Sequence, residues 1–70
     1  MEGYKQILDT VSQQISAVER FLDGAFIPFD PMNTDYQKFK TDVLDGAELQ
    51  DVDGNPMTQA EATAFIETLP

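Results

Sequence analysis

Seventy residues allow one domain with a shallow core, so a chain of this size draws part of its stability from something besides its own interior. It has no cysteine and no histidine, which removes disulfides, ordinary zinc sites, the thiol nucleophile and the usual neutral-pH acid and base. Four basic against thirteen acidic side chains give a net charge of −9, which opposes binding to phosphate backbones and anionic membranes.

In chain order, Tyr4, Leu8, Val11, Ile15, Val18 and Leu22 recur at alternating steps of four and three, which predicts an amphipathic helix over 3–23. Asp23-Gly24 supplies its stop. In heptad terms Leu8, Ile15 and Leu22 occupy a, and Tyr4, Val11 and Val18 occupy d. Ile7 and Phe21 widen the stripe, which suits a bundle or a docking groove better than a two-stranded coil. The helix is therefore expected to be covered by another chain.

Residues 25–31 are cut by Pro28 and Pro31 and read as an extended connector. Its Phe26 and Phe29 need cover, either as a core lid together with Tyr36 or against a partner. A second helix is expected from Asn33 or Thr34, with Thr34 and Gln37 as a capping box and Tyr36, Phe39, Val43 and Leu44 turned inward. Asp45-Gly46 ends it. Asp53-Gly54 marks a tight turn or small β-hairpin within 47–57. Thr58 with Glu61 is the strongest helix start in the chain, and the third helix places Ala62, Phe65, Ile66 and Leu69 on one face.

The run Asp51-Val52-Asp53-Gly54-Asn55 invites comparison with a calcium loop, but its glycine comes at the fourth position and Ala62 stands where the bidentate glutamate belongs. It reads as a turn with solvated carboxylates, and no metal or cofactor is expected. Lys38 and Lys40 are too few for a basic patch, and Asp35 and Asp42 offset them on the same helix. Residues 1–24 and 25–46 each carry four acids and two bases, whereas 47–70 carry five acids and none, which makes the C-terminal third the acidic pole. A carboxylate-only enzyme needs two acids gathered in a cleft, and these are dispersed, so no catalytic residue is assigned. Residues 1–6 lack the basic and apolar runs of a signal peptide, and no segment has the length of a membrane span.

The expected fold is mainly α: a long amphipathic oligomerisation or docking helix at 1–24, then a small compact helical domain at 25–70. The candidate partner-binding residues are Tyr4, Leu8, Val11, Ile15, Val18, Leu22, Phe26 and Phe29.

The run from Ile27 to Phe39, Ile-Pro-Phe-Asp-Pro-Met-Asn-Thr-Asp-Tyr-Gln-Lys-Phe, resembles a motif of small proteins and protein tails encoded in tailed-bacteriophage structural-gene regions. There it takes the form I-P-x-D-x-x-N-x-D-Y-x-x-aromatic. The continuation through Gly46–Asn55 and the helix from Thr58 to Pro70 are similar to such chains too, so the resemblance covers 27–70. It brings no catalytic residues. It implies a minor virion structural or adaptor protein of the tail, baseplate, neck or capsid region, made in the host cytoplasm. Such a subunit contacts other virion proteins or further copies of itself. A reading of a different class is a free acidic phage protein that blocks a basic site on a host protein, for which the charge of −9 speaks.

Overall fold

The stretch expected to form a long helix is a β-hairpin. The computed structural model describes residues 3–70. In it Gly3–Asp9 (β1) and Gln14–Arg20 (β2) pair antiparallel, from Tyr4 opposite Arg20 to Asp9 opposite Gln14, with a bulge between Ile7 and Leu8. Ala25–Pro28 (β3) pairs antiparallel with β2, and Glu48–Gln50 (β4) runs parallel to β1. The sheet order is β3-β2-β1-β4, and Thr34–Leu44 (α1) and Gln59–Glu67 (α2) complete a small α/β domain. The mainly-α expectation is thereby overturned. Residues 3–24, expected as a docking helix, supply the two central strands of the sheet, and residues 1 and 2 of that expected helix lie outside the described residues.

Local chemistry accounts for the difference. Thr10, Val11, Ile15 and Val18 are β-branched, and Ser12 and Ser16 favour turns and caps over helix interiors. The reversal needs no glycine, because Asp9 builds it with its own side chain. Its Oδ1 accepts from the N–H groups of Val11 (2.9 Å) and Ser12 (3.4 Å), while its carbonyl accepts from the Gln13 N–H at 2.7 Å. Those backbone N–H groups hold the Asp9 carboxyl below the usual carboxylate range. Gln13 closes the turn at φ 60°, the left-handed region.

The helices start and stop on side-chain signals. Asn33, rather than Thr34, caps α1: its Oδ1 accepts from the N–H of Asp35 (2.8 Å) and Tyr36 (3.2 Å). Gly46, at φ 106°, lets the chain leave α1 toward β4. Thr58 and Glu61 form the reciprocal capping box of α2. The 51–55 run is a turn that satisfies itself, with Asp51 Oδ1 accepting from the N–H groups of Asp53 and Asn55 and Gly54 at φ 86°. No helix among the described residues is long and apolar enough to cross a membrane.

Both helices pack on one side of the sheet. Tyr4, Val18, Ile27 and Leu49 form a single core with Tyr36, Phe39 and Val43 of α1 and Ala62 and Ile66 of α2. Phe39 is its centre: the Tyr4 ring meets it edge-on at 5.0 Å and the Phe29 ring stacks on it at 6.1 Å. Phe29 also reaches Tyr36 and Phe65, so it does serve as a lid. The Tyr4 hydroxyl donates to Asp42 Oδ2 at 2.8 Å, and Lys38 Nζ reaches the same oxygen at 2.7 Å.

Lys38, and after it the Tyr4 hydroxyl, lowers the Asp42 carboxyl below its ordinary range. Asp42 ionises more readily in the folded chain than in the unfolded one. Its contribution is complete above the ordinary carboxylate range and is lost as pH falls through the depressed folded value. Asp42→Asn is expected to flatten the acid limb of the stability–pH curve, read from urea midpoints at successive pH values. An acid limb unchanged in the variant contradicts this account.

The motif of residues 27–39 is a folding device. Ile27 is buried in the core and Pro28 ends β3, where the missing N–H suits a sheet edge. Asp30 Oδ1 accepts from the Met32 N–H at 3.0 Å to shape the turn, and Asn33 caps α1. Asp35 receives Arg20 Nη1 at 3.2 Å, Tyr36 donates its hydroxyl to the Pro70 oxygen at 2.8 Å, and Phe39 fills the core. Every fixed position of the motif serves the β3-to-α1 connection.

Candidate contact surface on the helix-free side of the sheet

The register fixes which side chains lie on the side of the sheet that no helix covers. Residues alternate faces along a strand, so with Tyr4, Val18, Ile27 and Leu49 turned to the core, their neighbours turn away. Three rows result. Gln50, Lys5, Glu19 and Phe26 lie side by side across all four strands. Ile7, Ala17 and Pro28 form the next row toward the hairpin tip. On the other side Glu48 and Gly3 continue to Phe21, whose N–H donates to the Gly3 carbonyl at 3.0 Å. A Cβ on Gly3 would lie 2.7 Å from the Phe21 ring, so the glycine is the seat on which that ring rests.

This face is apolar around a charged centre. Phe26 is 64% exposed and Phe21 44%, and the two are diagonal neighbours. Ala17 is fully buried yet stands outside the core cluster, walled in by Ile7 and Pro28 in its own row. Beside β1, where β4 has already ended, an open groove of about 380 Å³ is lined by Lys5, Gln6, Ile7, Leu8, Glu19, Val52 and Asp53.

The chain neutralises its other bases internally. Arg20 grips Asp23 (2.9 Å) and Asp35 (3.2 Å), which raises its pKa and in turn holds the Asp23 carboxyl low. Lys38 pairs with Asp42, and Lys40 reaches the Pro70 oxygen at 2.9 Å and lies 4.7 Å from the centre of the Tyr36 ring. Lys5 alone among the described bases has no side-chain ion pair or hydrogen bond to another described residue.

The eight sequence-derived contact residues are scattered by this fold. Tyr4 and Val18 are fully buried in the core, so they have no area to offer a partner. Phe29 and Ile15 are half-buried. Val11, 94% exposed, stands at the hairpin tip with Leu8 near it, Leu22 lies in the β2–β3 turn, and Phe26 alone of the eight lies on the open face. Lys5, Ile7, Glu19 and Pro28 were missed as surface neighbours, because only the strand register brings them together. The alternation of Ala17, Glu19 and Phe21 was the available signal, and it was masked by the stronger helical spacing.

Among the described residues no cluster of acids has the grouping needed to hold a metal ion. The side chains gathered on the open face offer apolar area, one cation (Lys5) and two anions (Glu19 and Glu48). They bring together no nucleophile with an activating base. No family model, curated protein or solved structure matches the chain.

Proposed function

We propose that this chain is a minor structural or adaptor subunit of a tailed-bacteriophage particle that works by protein–protein contact through its β layer. The observation that carries the contact role is a sheet covered by helices on one face only, with Phe21, Phe26, Ile7 and Pro28 left on the other. The phage assignment rests on the resemblance of residues 27–70.

The contact elements are the open face and the end of the β1–β2 hairpin. β3 pairs with Ala17–Arg20, the Ser16 carbonyl still accepts the Phe29 N–H, and β4 pairs only with Gly3–Lys5, so the segment from Leu8 to Ile15 projects without a flanking strand and carries Val11 at its tip. Asp9 preorganises that tip, which lowers the ordering cost of docking. Mass spectrometry of purified particles of the encoding phage is expected to find the chain at a fixed ratio to the major virion proteins. Its absence from intact particles overturns the assignment.

The charge of −9, with three of the four bases already engaged within the chain, favours a second reading: a free protein that occupies a basic site on a host protein. Capture of a host protein that is lost at about 0.5 M salt selects this reading. Apolar docking on a virion subunit survives that salt.

A further inference from the structure

We infer that the open sheet face pairs two copies of this chain across a two-fold axis that runs parallel to the strands between β1 and β2. The face is self-complementary about that line. The axis lays β1 of one copy over β2 of the other and β3 over β4, which gives a face-to-face sandwich. Lys5 then stands over Glu19 of the second copy, and the symmetry makes the pair twice. In the next row Ile7 stands over Ala17 of the second copy, which is fully covered within its own chain, so the contact of Ile7 falls on the Ile7 and Pro28 side chains that flank it, again twice.

At the flanks Phe26 and Pro28 cover Gln50 and the Val52 side of the groove, and Glu48 meets a strand whose outward residues carry no charge. On this face a second copy approaches without like charges in register. Its central acid, Glu19, is matched by Lys5, the base that has no side-chain partner among the described residues.

The dimensions set the strength. Four strands at a spacing of about 4.8 Å, with β1 seven residues long at about 3.3 Å per residue, present a patch roughly 19 by 23 Å. That lies below the ~800 Å² per partner of standard stable complexes, so the pair is weak and reversible, with a dissociation constant on the order of micromolar. The inference rests on the open face being a contact surface and not on the phage assignment. The pairing is read on the purified chain and the assignment on purified particles, so either can fail alone.

The test is sedimentation equilibrium of the full chain from about 5 to about 500 µM at ~0.15 M salt, with circular dichroism to verify folding of each variant. The wild-type chain is expected to pass from monomer to dimer over that range. Lys5→Glu and Glu19→Lys each weaken dimerisation at least tenfold, and the double swap restores it. Phe26→Lys, at an exposed position beside Glu19 of its own chain, keeps the fold and loses the dimer, whereas Val11→Lys at the hairpin tip leaves the dimer intact. A monomer at every concentration overturns the inference, and so does a folded Phe26→Lys chain that still dimerises, or a dimer lost in Val11→Lys.

Discussion

Phe39→Ala is expected to leave the chain largely unfolded at 25 °C. Phe39 is fully buried, and its ring carries the contacts with Tyr4 and Phe29 that join α1 to β1 and to the segment after β3. Truncating a buried phenylalanine costs about 3–5 kcal/mol, because the transfer term is lost and the cavity does not fully collapse. A core in a chain below about 70–80 residues rarely supplies more than ~3–5 kcal/mol of net stability. The two magnitudes meet. Far-UV circular dichroism with urea titration should show no folded baseline in the variant. A cooperative transition with nearly wild-type midpoint would mean that the core does not hinge on this ring.

Leu49→Ala comes next in size. Leu49 is the one buried side chain of the three-residue strand β4, which makes the only parallel pairing among the described residues. A buried leucine truncated to alanine costs about 2–5 kcal/mol, and the nearest other core anchor of this segment is the small side chain of Ala47, just before the strand. The loss should therefore be local before it is global: β4 detaches from Gly3, Tyr4 and Lys5 while the β1–β2–β3 meander persists. Hydrogen exchange is the measurement, with fast exchange at the amides of β4 and of Met57, whose N–H donates to the Leu49 carbonyl, and retained protection across β2. Equal loss of protection in all four strands contradicts this picture. Because Lys5 sits opposite Gln50, the same variant should also loosen the central row of the open face.

The C-terminal two-thirds of the chain was legible because its signals are local. Thr58 and Glu61 mark a helix start by a hydrogen-bond exchange that spans three residues, and the Asp53-Gly54 turn needs only its own backbone. Pro28 and Pro31 forced extension, and the extended segment is β3. The first twenty residues were misread because their spacing serves two geometries. Tyr4 and Val18 are helical neighbours of one stripe, yet they also lie on one face of a hairpin, since both turn to the core from adjacent strands. What distinguishes the two is a turn at Asp9–Gln13 with no glycine, proline or asparagine to announce it. The contact surface was less legible still. Lys5, Glu19 and Phe26 are far apart as a string and become a row only when three strands adopt their register.

The resemblance of residues 27–39 also changes meaning once each position has a duty. Chains that share the motif are expected to share the β3-to-α1 corner, not a binding partner. Differences in task should lie in the outward residues of β1 and β2, which the motif leaves free.

The parallel seam between β1 and β4 has a consequence for the order of assembly. The β1–β2–β3 meander closes through short reversals, whereas Gly3 meets Glu48 only after α1 has returned the chain to the starting edge. Loop closure over that separation is slow beside hairpin formation. Among the described strands β1 therefore waits longest for its last neighbour. Until residue 50 is in place, the outer edge of β1 is a bare row of amides and carbonyls, open to pairing with another chain.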